Sequence, residues 1–173
     1  MRDFEEFIYR RAAHYWPQGF DVSENSPSTY EGLIAEHKAR GRITVWSGGS
    51  RNTIFSSPKV NWAFRAWHDA KHIFNARPFT LEGERLACED MLDDIAWNKF
   101  PEPVGHFQTV PRSWARLTFC EVVGQAEYFA ATGKFPKHQT RFTAHWLAKQ
   151  ENCWRADKAF ADAIGASVRD WYV

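Results

Sequence analysis

Between residues 64 and 74 the chain reads FRAWHDAKHIF, which places His68, Asp69 and His72 within five consecutive positions among aromatic side chains. Histidines four residues apart share one face of a helix, a turn from each other. Two imidazoles so spaced can bind one metal ion. Asp69 lies about 100° around the same helix. There it can join the histidines as a ligand or orient one of them.

Such residues are useful only if helices hold them, and the flanking sequence predicts that. Phe4, Phe7, Ile8 and Tyr15 recur at helical spacing before Pro17. Residues 17–27, PQGFDVSENSP, read as a loop. A second helix is expected from about Tyr30 to Arg40, with Ser28 and Glu31 as a capping box and Gly41 as its stop. RITVW and NTIF then flank SGGSR, which suggests a small hairpin, or two extended segments around a Gly turn, over residues 42–55. Pro58 opens a third helix reaching about Ala76, and Arg77-Pro78 ends it. A fourth helix is expected over about 81–98, a loop over 99–111, and a fifth helix from Pro111 to near Gly133. Residues 137–163 read as helical again, with a break at Gly165. The expected fold is all-α: a single domain over 1–173, built as a bundle of about six helices with one small β excursion.

An amphipathic helix keeps ionisable groups off its buried stripe, because an unpaired buried charge is costly. Exceptions to that pattern are therefore candidates for function. Glu84 falls on the stripe of Leu81, Cys88, Leu92 and Ile95. Glu121 falls on that of Trp114, Leu117, Gln125 and Tyr128. His37 follows Leu33 by four residues and Ile34 by three, on the apolar side of its helix. His37, His68, Asp69, His72, Glu84 and Glu121 thus form a mixed imidazole–carboxylate set on four helices, suited to Zn, Fe, Mn or Co. Three of them also have a plainer reading. His37 alone can be a hydrogen-bonded core residue, Glu84 can favour the positive end of its helix, and Glu121 can pair with Arg65, Lys71 or Arg116. Arg51 in SGGSRN can meet an anion together with the backbone of its turn, although the segment is no phosphate loop of the Gly-rich Lys-Ser/Thr kind.

Composition narrows the class. Hydrophobic residues make up 44% of the 173 residues and charged residues 25%, a globular balance, and the formal net charge of +1 gives no general pull toward nucleic acid or anionic lipid. No apolar run approaches the roughly 18 residues of a membrane span. MRDFEEFIYRR does not read as a secretory signal. Cys88, Cys120 and Cys153 are far apart and form no C-x-x-C, so they read as reduced thiols of a cytoplasmic protein.

The order His37, then the adjacent His68-Asp69, then a carboxylate on a later helix resembles the HD-domain metal-dependent phosphohydrolases. AEHKAR around His37 is similar to the first-histidine region of their nucleotide-cleaving members. That resemblance implies His37, His68 and Asp69 as ligands, with Glu121 standing where the family has its last Asp and His72 where members place an acid/base, a basic residue or a second-metal histidine. A second resemblance is to helical di-iron carboxylate proteins: Asp69-Ala-Lys-His72 is similar to one of their carboxylate-x-x-His pairs, with Glu84 and Glu121 as lone carboxylates. The compact, Trp-rich character is also similar to that of small accessory proteins of tailed phages.

The expectation from these features is a metal-dependent hydrolase of a phosphate ester, a nucleotide among the candidates. A divalent ion (Zn, Mn, Co or Fe) would be held by His37, His68, Asp69 and Glu121. His72 would be a further ligand or proton shuttle, and Glu84 a ligand-orienting partner or general base. Arg51, Arg65 or Lys71 would meet phosphate oxygens. The alternatives are non-haem iron oxygen chemistry at the same residues, with Trp62, Trp67 and Phe74 as an apolar cover, and a non-catalytic helical binding protein. A small-molecule substrate is the expected partner, and the sequence leaves a homo-oligomer open.

Overall fold

The structure is a computed structural model, described here for residues 1–97 and 112–149. The chain runs α1 (Arg2–Tyr15), β1 (Asp21–Ser23), α2 (Tyr30–Arg40), β2 (Thr44–Trp46), α3 (Pro58–Phe74) and α4 (Leu81–Trp97). Then α5 (Arg112–Phe119), a π-helical turn (Cys120–Gly124) and α6 (Gln125–Thr132) follow one another without a break. Residues 139–149 are helical again. The all-α reading therefore holds, with a small two-stranded sheet as the β excursion. The expected loop over 99–111, the Pro111 start, Cys153 and the helix beyond 149 lie outside the described residues. No described helix is long and apolar enough to cross a membrane.

Local signals account for most boundaries. Thr29, one residue after the expected Ser28, caps α2 by accepting the Gly32 N–H, and Gly41 closes it at φ 64°. Pro58 sits in the first turn of α3. That helix stops at Phe74, short of the expected Ala76, because Ala76 itself takes φ 53° and turns the chain before Arg77-Pro78 is reached.

The β excursion differs from a hairpin. β2 pairs in parallel with β1, Val22 opposite Val45, so its partner comes from the segment expected to be loop. Parallel strands need a crossover, and α2 is that crossover. The NTIF segment forms bends instead, with Phe55 buried against Phe64 at 5.2 Å. Both sides of β2 are occupied. The Thr44 N–H donates to Glu36 at 2.8 Å, and Arg65 donates to the Trp46 carbonyl. These contacts satisfy groups that an open edge would leave to another strand.

The core is a mass of rings and aliphatics gathered around α3. Phe4, Phe7 and Ile8 of α1 are buried on it, and Phe7 meets Trp67 edge-on at 5.5 Å. Trp16 donates its indole N–H to the Ala66 carbonyl at 2.8 Å. Beside these rings lies a polar hub. The Asp94 carboxylate of α4 accepts from Trp67 at 2.8 Å and Tyr15 at 3.1 Å, and pairs with Arg11 at 2.6 Å and Lys71 at 2.7 Å. α1, α3 and α4 are thereby tied through one acid. Burial alone would raise the Asp94 pKa, but the hydrogen bonds from Lys71 and Trp67 and the charges of Lys71 and Arg11 hold it below the ordinary value.

Asp94→Asn removes the acid that pairs with buried Lys71 and that Arg11 also meets. Urea denaturation should show a loss of about 3–5 kcal/mol. In the wild type, the stability linked to this depressed pKa should be complete above the unfolded aspartate value, near 4, and fade as pH falls below it. A variant that matches wild-type stability at neutral pH would show that the hub does not tie the helices.

Candidate metal centre

α3 and α4 form a helical hairpin, and the site lies where the first turn of α4 meets α3. His68 and His72 present their Nε2 atoms to each other at 3.0 Å. Glu84 places Oε2 3.1 Å from His68 Nε2 and Oε1 3.6 Å from His72 Nε2. These three residues are the metal-capable group among the described residues. Four-coordinate zinc has bonds of about 2.0–2.1 Å, which set neighbouring donors about 3.3–3.4 Å apart. Two separations measured from His68 Nε2, 3.0 Å to His72 Nε2 and 3.1 Å to Glu84 Oε2, lie near that edge length, while the 3.6 Å approach to His72 is made by the other carboxylate oxygen, Oε1. One donor atom from each residue lies within 4.8 Å of the others, close enough that the three could share an ion.

The surroundings prepare those donors. The second ring nitrogen of His72, Nδ1, lies 2.6 Å from the Arg77 carbonyl. A carbonyl can only accept, so Nδ1 carries the proton and the Nε2 lone pair is left for a ligand bond. Phe79 packs edge-on against the His72 ring at 4.7 Å. His72 is fully buried, while the side chains of His68 and Glu84 keep 17% and 20% of their exposure, so the centre opens to solvent on their side. Thr80 caps α4 by accepting the Gly83 N–H at 3.1 Å. Gly83 must lack a side chain, since a Cβ there would lie 1.8 Å from the Pro78 carbonyl oxygen.

Electrostatics follow the geometry. Burial opposes a charged His68, yet Glu84, by charge and hydrogen bond, holds the His68 pKa above its ordinary value. Burial would also raise Glu84, but His68 and His72 together draw it well below the usual carboxylate range.

Asp69 stands beside this group. Burial raises its pKa against the opposing pull of His68, His72 and Arg65, and it has no hydrogen-bond partner among the described residues. The remaining candidates lie elsewhere. Glu121 sits on the π-helical turn, where its carboxylate accepts from Gln125 and Thr143, both at 2.7 Å. Burial pushes its pKa up to about 7 despite those bonds and the charge of Arg65. The His37 ring is wedged between Trp16 and Phe74, each at 5.5 Å, and its buried Nδ1 has no partner among the described residues. Neither joins the three-residue group.

The expected phosphate-facing cations are also placed apart. Lys71 is buried on the other side of α3, bonded to Tyr15 and Asp94. Arg65 donates to the Trp46 and Gly48 carbonyls and lies over the Trp46 ring. Arg51 is exposed in the bend after β2. Of the expected apolar cover, Trp67 faces Asp94, Trp62 donates to the Ser47 carbonyl, and Phe74 packs on Tyr15, Trp16 and His37. The ring against the centre is instead Phe79. Sequence reasoning missed Phe79, Gly83 and the Arg77 carbonyl. The signal within reach was the dipeptide Gly83-Glu84, a helix-disfavoured residue kept beside an acid on the buried stripe.

The chain matches no family model, no curated protein and no solved structure.

Two variants test this geometry. Gly83→Ala should push the first turn of α4 off Pro78 and carry Glu84 away from the histidines; calorimetric titration should show zinc affinity lowered by about 10-fold or more. Unchanged affinity would mean that Glu84 is not held by this contact. Glu121→Gln tests the second acid. Its raised pKa means that native Glu121 keeps its proton while the unfolded chain ionises. Stability is therefore lost as pH rises from about 4.5 to 7 and then levels. The variant should match the wild type near pH 4 and exceed it at pH 8 by on the order of 1–3 kcal/mol. Parallel stability–pH curves would place Glu121 in a polar setting.

Proposed function

We propose that this chain is a metal-dependent hydrolase in which His68, His72 and Glu84 hold one divalent ion and Asp69 accepts the proton of the attacking water. The observation that carries the reading is the meeting of three donors at metal-site spacing on two helices, open to solvent on one side. Such an ion, held by two imidazoles and a carboxylate, lowers the pKa of a water toward about 7 and polarises the bond to be cut. His72 keeps its Nε2 unprotonated through the Arg77 carbonyl. His68 releases its proton on loading, so metal affinity is coupled to pH. Asp69, half-buried next to His68 in the chain and with its pKa raised by burial, is the carboxylate proposed to take that proton.

The ligand set proposed here is not that of the HD order, since His37 and Glu121 lie outside it. A phosphate ester, with nucleotides first, remains the substrate class expected from the sequence. Its support is narrower than that for the hydrolytic step, because Lys71 and the Nη1 of Arg65 are committed to other partners. The second reading, a non-haem iron oxygenase, is favoured by the same donors: two histidines and one carboxylate with open positions suit Fe(II), and Phe79 supplies an apolar wall.

The deciding experiment loads the purified protein with Zn, Mn, Co or Fe(II). Metal content is measured first, and the loaded forms are then assayed on nucleotide mono- and triphosphates, simple esters and peptide amides beside an oxygen electrode. The expected result is about one ion per chain, lost in His68→Ala and His72→Ala, with metal-dependent hydrolysis abolished in Asp69→Asn. Oxygen uptake with Fe(II) and no hydrolysis would establish the second reading. A chain that binds none of the four metals would overturn both.

A further inference from the structure

The six residues between α3 and α4 are more ordered by contacts than a connection of that length requires. The chain leaves α3 at Phe74 and passes through Ala76 at φ 53°, a left-handed conformation that is unfavourable for a residue with a Cβ. The Arg77 N–H donates back to the His72 carbonyl at 3.0 Å. The Arg77 carbonyl meets His72 Nδ1 at 2.6 Å, so one residue grips both the backbone and the ring of a proposed ligand. The Arg77 side chain points the other way. It forms a two-pronged pair with Asp90 of α4, Nε to Oδ2 at 2.8 Å and Nη2 to Oδ1 at 3.2 Å.

Asp90 touches neither histidine, yet it is the acid that holds the strained turn closed. A two-pronged guanidinium–carboxylate pair fixes orientation as well as distance. Turning Arg77 would carry its carbonyl off the His72 ring, and the imidazole could then place its proton on either nitrogen. With the proton on Nε2, His72 cannot bind a metal. We propose that Arg77 and Asp90 are positioning residues of the metal centre, a clamp across the α3–α4 turn that holds His72 in its metal-binding tautomer. This rests on the assignment of His72 as a ligand. It adds that the readiness of the centre is set by an ion pair outside it.

The test separates the clamp from the metal reading. Long-range proton–nitrogen correlation spectra of the nitrogen-15-labelled, metal-free protein report the His72 tautomer directly, and competition with a chromophoric chelator gives zinc affinity. Wild type should show the Nδ1–H form. Asp90→Asn should show a mixture of tautomers and about 10-fold weaker zinc binding, and Asp90→Glu, which keeps the pair, should recover the wild-type tautomer. Should Asp90→Asn fail to fold, Arg77→Lys, which keeps the charge and loses the second prong, is expected to shift the tautomer in the same direction. An Asp90→Asn or Arg77→Lys protein with wild-type tautomer and zinc affinity overturns the clamp. A wild type that binds no zinc but shows the tautomer shift in the variants overturns the metal reading and leaves the clamp as a device that orients His72.

Discussion

The proposed centre depends on a steric constraint: the backbone of α4 begins in contact with the Pro78 carbonyl, closer than any residue with a side chain would allow at position 83. That contact sets where the first turn of α4 lies relative to α3. Glu84 follows by one residue, so its carboxylate is carried to the His68 and His72 nitrogens by backbone placement. Thr80 adds the cap that starts the helix at that point. A flexible glutamate pays rotamer entropy on being ordered. Here much of the positioning is done by the turn, so less is asked of the side chain.

The same two helices carry a second polar cluster on the neighbouring face of α3, and the two are kept distinct by the helical period. Trp67 and Lys71 turn to Asp94, while His68 and His72, one residue further in each case, turn to Glu84. The Asp94 hub is closed: one acid meets two cations, a phenol and an indole. The Glu84 cluster is open, because two imidazoles and a carboxylate at such spacing depend on a shared proton or an ion to hold them together. The contrast supports a structural role for the first and is what the proposed binding role of the second rests on. Lys71 shows why adjacency in sequence misleads. It lies one residue from a candidate ligand and belongs wholly to the structural cluster.

What the sequence disclosed follows from what helical periodicity can report. The helices were visible because Pro58, Gly41 and the apolar spacing act locally. His68 and His72 were visible as a pair because i, i+4 geometry is fixed by the helix alone. Glu84 was visible as an acid on a buried stripe. Periodicity reports which face a residue occupies, but not what the facing element brings to it. Glu121 and His37 are therefore inward, as their patterns suggested, and yet meet Gln125 and Thr143 in one case and Trp16 and Phe74 in the other. The parallel pairing of β1 with β2 was hidden for the same reason: strands of three residues carry too little alternation to register, and their pairing is made across α2. The partner of His72 Nδ1 was beyond reach of any side-chain pattern, being a backbone carbonyl.

Order along the chain and convergence in space thus separate two ideas that coincide in the sequence. The order of His37, His68-Asp69 and a later carboxylate draws on three separate helical segments, while the convergence draws on α3 and α4 alone. A centre built from one helical hairpin has few contacts to assemble. Its ligands come from 17 consecutive residues, 68 to 84, joined by a turn that is itself held to His72. Short-range assembly of this kind incurs little loop-closure entropy, so the donors can be in place before more distant elements dock. The half-buried Asp69 and Glu121, which both feel the charge of Arg65, are not among the residues that set the geometry of the centre. In that arrangement an ion at the proposed centre would be held by local structure, and residues from the rest of the chain would be left to shape what reaches it.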